Sequence, residues 1–587
     1  MWIWDNNIPF FFILFFFFFL TVFLSFFFLS YLGLYGVFFI NLLSLGLFWF
    51  SLLFYINDFF KNQIIYNIYL TKWIFINYNV KININFLIDS TSFSFFFLTT
   101  TIGLFVYIYT FCYFRFEPLV ERFLLFLCSF ILSMLFLVSS GNIIMLFLGW
   151  ELIGLTSFFL INFWSTKVST LKAAFKAFTF NKISDFFLFV FLIIIYNLTY
   201  DFDIMSINNQ IIFFKNFKIN LLNFNVNVIE VLCFFLLSCS FIKSAQFGAH
   251  IWLPDSMEAP VPASSLIHSA TLVSAGVFII LRFYPLFENS FYSFFILPFI
   301  GSLTAAYGGL VGFFQSDIKR ILAYSTISHC GFLILLTSFN FNEFVIIYLY
   351  VHGFFKASVF MCVGNVIRIS KNYQDYRKMG LFYKYLPFEC FVTFICLVNL
   401  SGIPFSLGFF IKHLIFLGLQ TNIYLYYMII FFIAIGAISG LFYSYKIFFF
   451  VFFDFKKSKK NIYINLNKKN QMSYYYTNTS LLSNISIVFL IIISYTVSYY
   501  LLNITFNKYY SINDFSNFSF NSNFYNLFNE NNYFLFNLSF LNWFVIFVLL
   551  NFVILNWRFK FYSYINYNYI NFYSCISLIS YVFYFFM

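Results

Sequence analysis

Polar and apolar positions along this chain separate into long blocks. Apolar runs fall at 10–29, 31–54, 93–114, 121–139, 142–163, 170–198, 226–247, 262–284, 291–314, 318–339, 343–369, 388–418, 423–452, 481–502 and 537–557. Each is long enough for the ~20 residues that a helix needs to cross a bilayer, so the pattern predicts about fifteen membrane-spanning helices. The polar blocks are 55–92, 199–225, 453–480 and 503–536. The stretch 461–480, rich in Asn, Tyr, Lys and Ser, is expected to be a loop with little fixed structure.

Two of the apolar runs carry signals for interruption. After Lys243 come Pro254, Pro260 and Pro262, and proline removes a backbone donor and clashes with the preceding turn. Within 388–418 stands Ser401-Gly402-Ile403-Pro404-Phe405. A broken helix is tolerated at membrane depth only where protein or a water-filled cavity surrounds it. Paired interruptions in two halves point to an inverted-repeat transporter. Lys243 and Lys412 each stand close to one break. His250, seven residues beyond Lys243, would share its face of a helix two turns on. Ionisable groups in such places mark an ion path.

Composition agrees with the block pattern: 587 residues are 62% hydrophobic and only 9% charged, against about 25% charged in soluble domains. The 105 Phe and 44 Tyr exceed any packing need and suggest an AT-biased genome such as a mitochondrial one. With the N-terminus outside, seventeen lysines and arginines fall in inner loops and six in outer loops. That asymmetry places 371–384 and 453–480 on the matrix side and 55–92 opposite. The net charge of +12 then reads as a topology signal with contact to anionic lipid such as cardiolipin, and calls for no nucleic acid. The nine cysteines show no Cys-x-x-Cys pair and read as small buried hydrophobes. Without a Gly-rich nucleotide loop or cluster-ligand spacing, the chain is expected to hold no flavin, iron–sulfur centre or metal. The first apolar run, with no small-residue cleavage site after it, is expected to be a span and not a cleaved signal.

The stretch Ser256-Met257-Glu258-Ala259-Pro260, then Leu266-Ile267-His268-Ser269-Ala270-Thr271, resembles the antiporter-like subunits of respiratory NADH–quinone oxidoreductase (complex I). So do Asn181-Lys182-Ile183-Ser184-Asp185 and His352-Gly353-Phe354-Phe355-Lys356-Ala357. The likeness runs from about Asp89 to Lys446. It implies an all-α polytopic fold with two inverted five-helix repeats, each with a broken helix. The division would be 1–115 for the N-terminal helices, 116–284 and 285–452 for the two halves, and 453–587 for the C-terminal helices. It also implies proton translocation coupled to NADH-to-quinone electron transfer. NADH, FMN, iron–sulfur clusters and ubiquinone would be bound by other subunits, and a neighbouring antiporter-like chain would be a partner. Two other functions stay open: a subunit of a multisubunit cation/proton antiporter, and a membrane subunit that no longer pumps.

The candidate chemistry lies in intramembrane charges. Glu151 is the only acid in 142–163, and a carboxylate at a helix centre costs roughly 2.5 to 3.5 kcal/mol. The resemblance sets it opposite Lys243, so that their separation would move a proton on or off the lysine. Lys176 is read as intramembrane, while for Lys172 a snorkelling, lipid-contacting role and proton uptake both stay open, with Asp185 in the same run. All five histidines lie between 250 and 413, and imidazole both gives and takes a proton near neutrality. The expected axis is Glu151, Lys243, His268, His352, Lys356 and Lys412, with Lys176, Asp185 and His250 as further members. Departures from the family pattern are Tyr348 where many relatives have a second histidine, His329 where Gln is usual, His413 where Asp is usual, and Lys446 for Arg. The thirty residues after 557 are too few for the family's in-plane helix plus a final anchor, so that helix is expected to be short or absent.

Overall fold

The structure, a computed structural model, describes residues 9–511 except 77–79, 115–116, 222–223, 339–341, 371, 385, 405, 419–423 and 455–468. Its main helices are α1 (Phe10–Phe27), α2 (Leu29–Phe54), α3 (Ser90–Tyr113), α4 (Val120–Ser139), α5 (Ile143–Ile161), α6 (Val168–Thr199), α7 (Val228–Lys243), α8 (Val261–Ser269), α9 (Leu272–Arg282), α10 (Phe291–Phe314), α11 (Ile318–Thr337), α12 (Asn342–Ile369), α13 (Pro387–Ser401), α14 (Leu407–Gly418), α15 (Tyr424–Phe448) and α16 (Lys469–Ser511). Among the described residues, twelve helical segments are long and apolar enough to cross a membrane, with α8 and α9 together forming one of them. Two further expected spans, 226–247 and 388–418, are interrupted and too short as single helices. The fifteenth, 537–557, and the tail after it lie outside the described residues.

α12 is the hub. It packs against α3, α8, α11, α13 and α16, and its most apolar window is wholly buried. A helix that is apolar all round belongs inside a bundle. α1 and α2 present Phe10, Phe27, Phe39 and Phe54 outward, as lipid-facing helices do. α3 opens with a capping box: the Asp89 carboxylate accepts from Ser92 N at 2.8 Å, and Ser92 Oγ accepts from Asp89 N at 2.7 Å. Arg282 at the end of α9 reaches back to Asp89 at 2.9 Å and to the Val138 carbonyl at 3.2 Å, tying α3, α4 and α9 at one end of the bundle.

Two polar segments hold strands. β1 (Tyr66–Ile76) and β2 (Val80–Ile88) form an antiparallel hairpin running from Tyr66↔Ile88 to Ile76↔Val80, with irregularities between Tyr69 and Thr71 and between Lys72 and Ile74. β3 (Lys218–Leu221) pairs with β4 (Phe224–Asn227). Bridges Phe86↔Ser140 and Asn142↔Asp203 join three loops at one end, and Asp317↔Asp375 joins two others. The alternation that predicts spans places the first three loops on one side and the last two on the other. In the latter pair, hydrogen bonds from Arg377 hold the Asp375 carboxyl below its usual range.

Three expectations change. The stretch 469–480 is not loop: α16 starts at Lys469 and runs 43 residues, because no Pro or Gly interrupts 469–511. Lys319, counted as an inner-loop charge, is buried at 4% exposure and donates to the Ala259 carbonyl at 3.2 Å and that of Met257 at 3.4 Å. The first break does not begin at Pro254. The chain leaves the helix at Ser244, and Ala245 takes a left-handed φ of +52°.

Candidate functional site: a buried chain of lysines and histidines

α7 ends on Lys243, and the carbonyls of its last turn are left for other donors. The segment 244–260 turns through Ala245 and Gly248, the latter at φ +91°, and then resumes helix. The prolines start helices here: Pro254 lies in the short helix Trp252–Asp255, Pro260 caps α8, and Pro262 occupies its first turn. A second interruption at Ala270–Thr271, with Thr271 at φ −121° and ψ −86°, separates α8 from α9. Because α7 stops at Lys243, His250 does not share its face. It lies in the turn region, with Nε2 3.0 Å from the Tyr307 hydroxyl.

The first cluster sits between α5, α6 and α7. Lys243 is fully buried, donates to the Trp150 carbonyl at 2.6 Å, and places its ammonium 3.9 Å from the centre of the Trp150 ring. A desolvated cation gains most from such a face. Glu151 does not reach it. The Glu151 carboxylate binds Lys182 at 3.0 Å, and Lys182 also meets Asp185 at 3.4 Å. The successive residues Trp150 and Glu151 leave helix α5 in different directions, so the tryptophan takes Lys243 and the acid turns to α6. Asp185 and Glu151 are the carboxylates near the Lys243 charge. The expected Glu151–Lys243 pair is thus a four-member group with Lys182 and Asp185 between its ends.

The second cluster surrounds α12. His268 on α8 is buried, with Nε2 3.2 Å from Ser256 Oγ and its ring stacked on Phe360. Lys356 donates to Ser325 Oγ across the α11–α12 contact. His352, one turn before Lys356, lies with its ring centre 5.2 Å from that of His329 on α11. His329 Nδ1 is 2.7 Å from the Tyr348 hydroxyl, and Nε2 is 3.3 Å from that of Tyr443. Lys412 on α14 folds back across the second break to the carbonyls of Leu400 at 2.7 Å and Ser401 at 3.2 Å, the last turn of α13. That is the negative end of a helix dipole and a natural seat for an ammonium. Lys446 is held alike, by the carbonyls of Phe313 at 2.5 Å and Gln315 at 2.7 Å at the end of α10. His413 lies on α14, and its side chain is outside the described residues.

Lys176 stands apart from both clusters. It binds Asp255 of the break at 2.5 Å with both side chains partly exposed. Lys172 is exposed, as a snorkelling residue would be. Sequence reasoning gave no role to four residues here, of which Trp150, Asn181 and Glu389 are buried and Asn365 is half-buried. Trp150 and Asn181 line the first cluster. Glu389 and Asn365 form a pair at 3.1 Å between α12 and α13, completed by Tyr109, which donates to Asn365 Oδ1 at 3.0 Å. An acid at the third position of the run 387–401 was the available signal for Glu389.

Several buried polar atoms in this region have no protein partner: Trp150 Nε1, both amide atoms of Asn181, His250 Nδ1, His268 Nδ1 and His352 Nε2. Buried polar groups in native proteins are almost always satisfied, by ordered water where protein offers nothing. The arrangement suits proton exchange: carboxylates near a desolvated lysine, then imidazoles and lysines gathered around one hub helix.

Residues 140–439 match the family described as NADH:quinone oxidoreductase/Mrp antiporter, TM, and residues 73–124 match that described as NADH-Ubiquinone oxidoreductase (complex I), chain 5 N-terminus. The chain is 47% identical over 492 residues to NADH-ubiquinone oxidoreductase chain 5 of Paramecium tetraurelia, covering 83% of this chain and 86% of the relative. The chain 5 protein of Acanthamoeba castellanii is 36% identical, over 64% of this chain and 56% of its own length. Among solved structures, a chain of the Mrp complex from Dietzia sp. superposes with a TM-score of 0.62 at 21% identity, covering 79% of this chain and 52% of that one. At that identity the likeness shows a shared antiporter-like fold. Together these matches place the chain in the family of NADH-ubiquinone oxidoreductase chain 5.

Proposed function

We propose that the chain is a proton-translocating, multi-pass subunit of NADH-ubiquinone oxidoreductase in the mitochondrial inner membrane, and that it moves protons along the buried side chains just described. Lys243 is the gate. It ends a broken helix, is wholly desolvated, and faces Asp185 and Glu151 through charge. A carboxylate drawn toward a buried lysine favours its charged form, and withdrawal favours the neutral form. Lys182 holds both carboxylates, so a shift of α6 against α7 would change what Lys243 feels. Beyond the gate, His268, His352, Lys356 and Lys412 pass the proton on. Relay needs donor–acceptor reach of about 2.6 to 3.2 Å or a bridging water, and the unpartnered imidazole atoms of His268 and His352 suit that water.

Lys176 with Asp255, and His250 with Tyr307, supply a partly exposed group at the break through which protons enter. The redox groups belong to other subunits, and electron transfer there drives the gate. Neighbouring membrane subunits flank the chain. Anionic lipid, cardiolipin in the inner membrane, meets the basic loops.

The observation that carries this reading is the buried ammonium of Lys243 at a helix break within a chain 5 sequence. A lysine there costs roughly 2.5 to 3.5 kcal/mol on insertion scales, a cost that a purely packing role does not return. The test is Lys243→Met in the assembled enzyme, reconstituted in sealed vesicles. Methionine keeps the volume and removes the charge. Assembly and NADH oxidation should persist while protons moved per NADH fall. An unchanged ratio would refute the gate.

A further inference from the structure

Building on that proton path, we infer that His329 is an additional proton-carrying residue, set between the phenols of Tyr348 and Tyr443 and linking His352 to Lys412. His329 is buried at 1% exposure and is engaged at both ring nitrogens, with Tyr348 at 2.7 Å and Tyr443 at 3.3 Å. Both hydroxyls come from other helices, α12 and α15, so the ring is gripped from two sides. On one flank lies His352, with ring centres 5.2 Å apart and Nε2 free of any protein partner. On the other flank, the Tyr443 hydroxyl and the Lys412 ammonium both lie within 4.0 Å of the point that a Cβ on Gly440 would occupy.

A histidine placed for packing alone needs one partner and no titratable neighbours. This one joins the two stretches of the path on either side of it. Its chemistry complements that of its neighbours. A phenol near pKa 10 passes a proton through its hydroxyl but seldom holds one, whereas an imidazole near 6.5 does both. An extra proton arriving on His329 leaves from Nε2 to the Tyr443 oxygen as the Tyr443 hydroxyl proton moves on toward Lys412. The imidazole and the phenol both end neutral, with one proton advanced.

The experiment uses the assembled enzyme in sealed vesicles, with protons moved per NADH oxidised as the readout and Lys243→Met measured in parallel. His329→Gln keeps a hydrogen-bonding side chain and removes the titrating ring. Its ratio is expected to fall to that of Lys243→Met, and adding Tyr348→His to His329→Gln should restore it, since the imidazole then stands at the other end of the bond. A purely structural role would not be rescued in that way. A wild-type ratio in His329→Gln beside a reduced one in Lys243→Met overturns this inference and leaves the gate intact. A wild-type ratio in both overturns the underlying path as well. Should His329→Gln fail to assemble, Tyr348→Phe and Tyr443→Phe, each removing one oxygen, are measured instead. A reduced ratio in either is expected, and full pumping in both overturns the relay.

Discussion

The carboxylate of Glu151 is 3.0 Å from the ammonium of Lys182, with Asp185 a further partner of the same lysine at 3.4 Å. Lys182 therefore sets how much negative charge Lys243 meets. Lys182 and Glu151 are 41% and 32% exposed on the flank of two membrane-spanning helices, and their value for pumping lies in the field they make. Lys182→Arg should keep pumping, because charge and reach are retained. Lys182→Met should leave assembly intact and depress the proton-to-NADH ratio, as should Glu151→Gln. Equal, wild-type ratios in all three would separate this group from the gate.

Gly402 ends α13 at φ +75°, and a Cβ there would stand 2.9 Å from Lys412 Cδ. Gly402→Ala forces a left-handed backbone costing roughly 1–2 kcal/mol and pushes Lys412 from the Leu400 and Ser401 carbonyls. Gly402→Asn tolerates that backbone region better yet still crowds Lys412. Reduced pumping is expected in both, with the larger loss of thermal stability in the alanine variant. A variant pumping normally would show that the seat of Lys412 is dispensable.

Much of this was legible in the sequence because spans follow from hydrophobic block length alone. The existence of both breaks was legible too, from Pro254–Pro262 and from Gly402 and Pro404. Where the first break starts was not. Ser244 and Ala245 carry no breaking signal, yet Ala245 takes the left-handed turn. The hairpin β1–β2 was legible in principle: Ile82, Ile84, Phe86 and Ile88 alternate with Lys81, Asn83 and Asn85 in the two-residue period of a strand. The block reading treated it as one polar segment. The partner of Glu151 could not be read, because Lys182 and Lys243 are both lysines on neighbouring helices and only rotation about α5 decides between them.

Asp89 and Arg282 form a pair buried on the arginine side, with Arg282 at 5% exposure. Burial alone would raise the Asp89 carboxyl, but the Arg282 guanidinium and hydrogen bonds from Ser92 and Thr91 outweigh it and hold the group below its ordinary value. A depressed carboxyl stabilises the fold above its unfolded pKa, near 3.9, and loses that contribution as pH falls through the lower folded value. The tie should therefore be constant from pH 5 to 8. Asp89→Asn keeps a helix cap and leaves Arg282 without its anion, a change that costs about 3–5 kcal/mol in buried pairs. Thermal melting of the solubilised complex should show a lowered midpoint, with no recovery across that pH window. A wild-type midpoint would show that Arg282 finds sufficient partners in the Val138 carbonyl.

Glu389 presents the opposite problem, an acid buried at 5% exposure on the first turn of α13. Its Oε1 accepts from Asn365 Nδ2 at 3.1 Å, and Tyr109 completes the set through Asn365 and the Met361 carbonyl, each at 3.0 Å. The positive end of the α13 dipole favours a negative charge at this position. These contacts fasten α3, α12 and α13 together, which is a structural role and needs an acceptor oxygen, not a titrating carboxyl. Glu389→Gln supplies that oxygen and should pump at the wild-type ratio with normal assembly. Glu389→Ala removes the acceptor of the half-buried Asn365 donor, a loss of about 1 kcal/mol, and should lower both thermal stability and the yield of assembled complex. If Glu389→Gln instead assembled normally and lost pumping, the carboxyl would carry protons, and the path would extend from α12 into α13 before it reaches Lys412.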